Sequence, residues 1–441
     1  MNFLKGSLLI FLTFPIILGS CQDDEGNLDM PTLQVESPET IKPGATIIIE
    51  VTASAPKLLA IDGITGGIAS GEGVLEKTGL SGEHTTVGSA IFEFTAGGTE
   101  NTSSILEFEV LDELGQTAAS ELDIQVTALD YTQVVVLNEG NFFSANGTLD
   151  VYDLRQQTAD NGVYQVNATV QQAVIHQQKT YLVTNAPDAL DVLNNQLELE
   201  ISINQGLDNP IDFAAVDDIG YVSNWGDINT AFSDDPDSFI ALIDLNTQEV
   251  TDSVLLGSRP QGLLAFDEKI FIALEGGAAV AVLDTEDSSL EEIQVPAGPS
   301  EMVVDSFGMI WVICTSGSLV EIDPVTMSVV STITGLTTGG FNEKMAIDGT
   351  GEVIYYLGGS NDSFTGLTTV YQVDLSTQEV SPFVENGFAL YGIGVNSETN
   401  EVYLGDSNAF QSTGTGFRYN AQGAKLDEFA TGIGPRGFLF K

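Results

Sequence analysis

The sequence predicts an all-β protein: a small N-terminal β-sandwich followed by a seven-bladed β-propeller that the C-terminal strand closes. Three observations carry this expectation. Apolar and polar residues alternate with a period of two through much of the chain, as in half-buried strands and not in helices. From Tyr131 onward a strand closing on Asp or Asn recurs at Asp153, Asn194, Asp244, Asp284, Asp323, Asp374 and Asn420. These positions lie 39 to 51 residues apart, the length of four short strands with their turns, which is one propeller blade.

Residues 1–20 read as an export signal: Lys5 precedes an apolar run from Leu8 to Leu18 that is too short to span a membrane in the mature protein. The run ends in Leu18-Gly19-Ser20-Cys21, which resembles the lipobox of bacterial lipoproteins. That resemblance implies cleavage before Cys21 and lipidation of its thiol. Residues 21–30 form an acidic tether, and its Gln22-Asp23-Asp24-Glu25 resembles the signal that sends lipoproteins of Bacteroidetes-type bacteria to the cell surface. The implied location is the outer membrane, lipid-anchored and surface-exposed; the same residues also suit a merely solvated linker.

The sandwich is expected over residues 31–128, from the strands Thr46 to Thr52, Ala90 to Thr95 and Ile105 to Leu111. The hairpin of Ile105 to Leu111 with Ala118 to Val126, joined by Asp112-Glu113-Leu114-Gly115-Gln116, resembles the closing strands of bacterial immunoglobulin-like domains. Such domains are mostly spacers, and no site is expected there.

The propeller is expected over residues 131–441. A second repeated mark is an apolar strand ending in a polar residue, as in Tyr181-Leu182-Val183-Thr184-Asn185 and Tyr221-Val222-Ser223-Asn224. A third is proline at the entrance of a first strand, at Pro210, Pro260, Pro299 and Pro435, where no ladder donor is needed. Each recurring Asp or Asn is expected to cap the turn between third and fourth strands by accepting backbone N–H bonds. The first repeat lacks its innermost strand, whereas the chain ends in an unattached one, Gly437-Phe438-Leu439-Phe440, so the C-terminus should complete the first blade. Arg259-Pro260-Gln261-Gly262 and Lys179 to Asn185 resemble the signature of YVTN-type, YncE-like propellers, a family whose fold hosts many unrelated activities.

Composition narrows the function. A formal charge of −50, from 63 acidic against 13 basic residues, repels polyanions, so nucleic acid is a poor partner. Of the two cysteines, lipidation of Cys21 leaves Cys314, in the apolar run Met309 to Cys314, as a core residue without a disulfide partner. The two histidines, His84 and His176, fall in different domains, and neither forms a convincing nucleophile pair. No catalytic residue and no enzymatic activity are expected. No cofactor is expected either, although Asp208, Asn209, Asp212, Asn224 and Asp227 could supply oxygen ligands for calcium.

Ligand binding is expected instead from long loops, rich in aromatics and amides, that follow the second strands of several blades. These carry Asn138, Glu139, Asn141, Phe142 and Phe143 in the first repeat, Asn185 in the second, Trp225 and Asp227 in the third, Phe364 in the sixth, and Asn408 and Phe410 in the last. A loop aromatic outside the core offers a ligand apolar area with little entropy to lose. Loops entering the first strands add Asn209, Arg259, Gln261 and Arg436 around the channel mouth.

The lipobox, the propeller and the first-blade stretch Leu137-Asn138-Glu139-Gly140-Asn141-Phe142 together resemble the cobalamin-capturing surface lipoproteins of Bacteroidetes, the BtuG type. The resemblance implies capture of cobalamin or a similar nutrient for a TonB-dependent outer-membrane transporter. Broad apolar corrin faces suit Trp and Phe, and peripheral amides suit Asn and Gln. The extra sandwich departs from the simplest form of that family. The alternatives left open are a glycan- or protein-binding adhesion module with the sandwich as spacer and, less favoured, a calcium-dependent propeller hydrolase.

Overall fold

The computed structural model describes residues 30–233, 236–339, 343–359 and 367–441. The export signal, Cys21, most of the acidic tether and Phe364 lie outside the described residues. The chain divides into two compact units between Asp130 and Tyr131. It is all-β, built of antiparallel sheets with a single 3-10 turn at Asn408–Phe410 and no α-helix among the described residues. No helix there is long and apolar enough to cross a membrane.

The first unit stacks two four-stranded sheets. One runs in the order Thr32–Glu36, Thr46–Ser54, Val87–Ala96, Gly73–Ser81, and the other Thr40–Ile41, Thr117–Val126, Thr102–Asp112, Leu59–Ser70. Their inward residues alternate as the sequence suggests: Ile49, Val51, Phe92 and Phe94 share one core with Leu106, Phe108, Val110 and Ile124. Phe92 meets Phe108 edge-on at 5.1 Å. The strands Leu59–Ser70 and Gly73–Ser81 went unread because they are rich in glycine and polar residues. Glycine has a packing role there, since a Cβ at Gly66 would stand 2.8 Å from the Phe108 ring.

The second unit repeats a four-stranded antiparallel meander. The second sheet holds Thr169–His176, Lys179–Asn185, Ala189–Leu193 and Leu199–Ile203; the third holds Pro210–Val216, Ile219–Asn224, Phe239–Asp244 and Glu249–Leu255. The fourth begins at Leu263–Phe266 and the fifth at Pro299–Val304. In the sixth, seven strands run on from Met345–Ile347 to Lys425–Ala430, because the 17-residue strand Glu379–Val395 serves two consecutive meanders. The first sheet is completed from the far end of the chain, where Pro435–Phe440 pairs antiparallel with Gln133–Asn138, Phe438 opposite Val136.

Apolar clusters are shared by neighbouring sheets, except one around Tyr355, Val395 and Phe417 that lies within the seven-stranded sheet, between its two meanders. Phe271 and Val282 of the fourth pack with Val312 and Val320 of the fifth. The last cluster joins Tyr403 and Phe429 of the sixth sheet to Val134, Tyr152 and Phe438 of the first.

All seven recurring Asp/Asn residues cap the turn between the third and fourth strands of a meander. Asp153 Oδ1 accepts the N–H groups of Arg155 and Gln156, Asn194 those of Gln196 and Glu198, and Asp244 those of Asn246 and Thr247. Asp284, Asp323, Asp374 and Asn420 accept in the same way. Those backbone donors hold Asp284 and Asp323 below the usual carboxylate range, so these acids stay ionised and structural. Cys314 is fully buried, and burial pushes its thiol up to about 12, which removes it as a nucleophile at neutral pH.

Candidate functional site

In an antiparallel meander the connections from second to third strand, and from fourth strand to the next sheet, leave from the same end. The aromatic loops therefore share one end of the second unit. In the first sheet Phe142 and Phe143 are 63% and 95% exposed, and their rings meet edge-on at 5.7 Å. Their loop is held by its own amides: Asn146 Oδ1 accepts the Asn141 N–H at 2.8 Å, and Asn141 Oδ1 accepts the Phe143 N–H at 3.0 Å. Asn141 thus positions the aromatics.

In the third sheet Trp225 is half-buried, with its indole N–H donating to the Pro260 carbonyl at 2.7 Å. The Arg259 guanidinium lies 4.8 Å from the Trp225 ring and 4.6 Å from that of Phe232, and it pairs with Glu275 at 2.7 Å. Phe232, 64% exposed, completes the cluster. The sequence reading missed it because it sits far along a polar loop. Its signal was that no strand pattern there calls for an apolar side chain.

Several expected ligand contacts are instead spent on the fold. Arg259, Gln261 and Arg436 are buried, and the two arginines have carboxylate partners, as charge withdrawn from water requires. Asn138 is fully buried, with its amide donating to Thr148 Oγ1 at 3.1 Å. Asn185 Oδ1 accepts from Thr169 and Gln171, and Asn209 Nδ2 donates to Asp208 and the Gly226 carbonyl. Asp227 Oδ1 caps its own loop through both donors of Asn229. Asn408 closes its loop through Ser412 at 2.6 Å, and Phe410 packs on Tyr391 at 4.8 Å.

Of the possible calcium donors, Asp208, Asn209 and Asn224 hydrogen-bond to one another, whereas Asp212 accepts from Phe213 and Leu263, and among the described residues no group of three or more His, Cys, Asp or Glu could hold a metal. His84 lies against Glu113 at 2.6 Å, and His176 Nε2 is 2.8 Å from the Asp217 carbonyl.

Toward the axis lies a polar cleft that sequence reasoning only partly found. Gln171, Gln172 and Asp212 line it with Gln261, Glu301 and Lys344, and Arg436 closes it. These side chains come from the starts of successive innermost strands. The register there shifts between Val170 and Gln172, Pro210 and Asp212, Pro299 and Met302, Leu390 and Gly392, and Pro435 and Gly437. A bulge at a strand start re-aims the next side chain, so a repeated irregularity turns Gln171, Glu301 and Arg436 into the cleft, whereas Gln261 and Lys344 stand just before strands of regular register. Glu139 ties the rim together, accepting from Tyr391 and from Arg436 Nη1 at 2.8 Å, while Arg436 also donates to Gln171 and the Val170 carbonyl.

In the cleft, burial first and the nearby Glu301 second raise Asp212 to about 7, against the backbone N–H groups of Leu263 and Phe213. Lys344 neutralises Glu301 at 3.2 Å. A carboxyl whose folded pKa exceeds its unfolded value of about 3.9 binds more protons in the folded state, so its contribution to stability falls as pH rises through that window. Asp212→Asn should therefore flatten the pH dependence of unfolding between about pH 4 and 7 by up to about 1.4 kcal/mol per unit. Denaturant titrations of both proteins across that range check it, and identical slopes would refute it.

No curated protein matches the sequence. Among solved structures, a quinonprotein alcohol dehydrogenase-like protein (BT1487) from Bacteroides thetaiotaomicron is similar at 15% identity and a TM-score of 0.53, covering 91% of this chain and 96% of that one. Kuenenia stuttgartiensis hydrazine synthase is similar at 14% identity and a TM-score of 0.49, over 59% of this chain and 85% of that one. AztD from Citrobacter koseri is similar at 13% identity and a TM-score of 0.44, over 76% and 94%. The first of these likenesses supports a β-propeller-like fold and carries nothing about activity. The model of the family described as "Domain of unknown function (DUF5074)" matches residues 133–429, most of the second unit, and the chain belongs to that family.

Proposed function

We propose that this chain is a surface lipoprotein, anchored through Cys21, whose second unit is a seven-bladed propeller of the YVTN, YncE-like kind carried on an immunoglobulin-like sandwich. The seven capped turns, the apolar clusters shared between consecutive sheets and the pairing of Pro435–Phe440 with Gln133–Asn138 support seven blades, the strand Glu379–Val395 being shared by the last two. The function is capture of a bulky, partly apolar nutrient, cobalamin or a similar molecule, for a TonB-dependent transporter. It acts by binding and not by catalysis.

One observation carries this reading: Phe142 and Phe143 stand in water on the loop of the first sheet, and Phe232 stands in water against the Trp225–Arg259 stack of the third, at the end of the sheets from which both loops leave. Exposed aromatics on loops stiffened by their own amides present area to a ligand at little ordering cost. The test is isothermal titration of the soluble form, starting after Cys21, with cyanocobalamin, repeated on the Phe143→Ala/Trp225→Ala double variant. Tight binding that the variant weakens by at least about 2 kcal/mol, roughly thirty-fold, is expected. No heat and no thermal shift at high ligand concentration would exclude cobalamin and favour a glycan or protein partner.

A further inference from the structure

The repeat has one exception that structure alone does not explain. Three positions before each capping Asp or Asn, the third strand carries Ala241, Ala281, Val320, Tyr371 and Phe417 in the third to last meanders. In the first it carries Asp150, whose carboxylate is satisfied by the N–H groups of Gly162 and Gly432, both at 2.7 Å, and by Thr148. In the second it carries Asp191, 7% exposed, whose Oδ2 accepts the Tyr164 phenol at 2.9 Å. Its Oδ1 accepts no hydrogen bond among the described residues.

Asp191 Oδ1 accepts nothing from the described residues and opens to solvent, so the donor of a ligand can take the place of water there. Asp191 lines a cleft of about 350 Å³, formed where the outer strand Thr158–Gln165 of the first sheet passes the second. The cleft shares no residue with the central one. Such a volume falls in the range of roughly 300–1,000 Å³ of small-molecule sites. Around Asp191 stand the exposed hydroxyl of Ser202 and the exposed amide of Asn167, neither hydrogen-bonded among the described residues, and exposed Pro187 and Leu199 form an apolar wall. Burial first, then the Asp191 charge, raise the Tyr164 phenol above its ordinary value, so it stays a donor and keeps the carboxylate oriented.

We propose that this cleft is a second binding site, for a single neutral sugar ring, free or at the end of a glycan. The lining holds no Lys, Arg or His, which excludes an anion. One carboxylate oxygen with room for charge-assisted bonds matches the vicinal hydroxyl donors of a pyranose. The hydroxyl and amide of Ser202 and Asn167 match its remaining donors and acceptors, and the Pro187–Leu199 wall matches its C–H face. A lone ammonium would engage Asp191 but leave the neutral groups unused.

The test is saturation-transfer NMR on the full-length protein with galactose, mannose, fucose and N-acetylglucosamine, and with ethanolamine as a cationic control. The variants are Asp191→Asn, Asp191→Ala and Leu199→Trp. At least one sugar should bind, with a dissociation constant that rises tenfold or more in both Asp191 variants and in Leu199→Trp. Asp191→Ala copies the residue of the third and fourth meanders, so its melting temperature should match or exceed that of the parent. Binding should survive in the Phe143→Ala/Trp225→Ala variant, which separates this site from the aromatic end. The proposal is overturned if none of the four sugars binds, if the Asp191 variants bind as the parent does, if only the aromatic double variant loses binding, or if ethanolamine alone binds.

Discussion

Truncation after Gly434 will abolish the cooperative folding of the second unit. The deletion removes the strand Pro435–Phe440 and leaves Gln133–Asn138, whose residues beyond Gln133 are all buried, as an unpaired apolar edge. It also removes Phe438 from beside Tyr403, at 5.9 Å, and the backbone bonds between Lys441 and Gln133. The first sheet would then lose its innermost strand and the last apolar cluster one of its walls. That loss is comparable to the whole marginal stability of a domain, about 5–15 kcal/mol. Both tryptophans, Trp225 and Trp311, lie in the second unit, so guanidinium titration followed by tryptophan fluorescence reads this unit. A truncated chain that unfolds with the parent's midpoint and slope would refute the idea that the C-terminal strand closes the fold.

Glu139→Ala will cost about 3–5 kcal/mol, although the residue sits on a loop. Arg436 is only 4% exposed at its side chain, and Glu139 is its carboxylate partner at 2.8 Å. Removing that partner leaves a buried cation with only neutral acceptors, Gln171 and the Val170 carbonyl, and strips the Tyr391 hydroxyl of its bond. Because the desolvation of the arginine is the main cost, the double variant Glu139→Met/Arg436→Met should lose much less than the single one. Urea titrations of the parent and the two variants decide the matter, and a single-variant loss below about 1 kcal/mol would show that Arg436 is satisfied without Glu139.

The same pair shows why the site was less legible than the fold. Glu139, Arg259 and Arg436 were expected to face a ligand because charge on loops near a channel mouth usually meets solvent. Their partners are remote in sequence: Arg436 meets Glu139 across the closure of the chain, and Arg259 reaches Glu275 between two loops. Trp225 and Phe143 were read from the same kind of loop, yet one is half-buried against a carbonyl and the other almost wholly in water. Nothing local separates the two cases. The cleft residues Gln171 and Glu301 went unread because a bulge, a property of the pairing, aims them inward.

What the sequence by itself determined are the features written in local chemistry: strands from alternation, turns from recurring Asp and Asn that bond backbone two or three residues on, and the inert burial of Cys314 from its apolar run. Each depends on neighbours only a few residues away, so it can be read without knowing where the chain goes. Tertiary structure alone decided which polar groups are spent on one another and which are left over. Asp150 and Asp191 occupy equivalent positions, but the glycine amides that satisfy Asp150 include one from Gly432 at the far end of the chain, whereas Asp191 has one phenol and an open cleft. A buried carboxylate is structural or available according to the donors that the whole fold brings within about 3 Å of it.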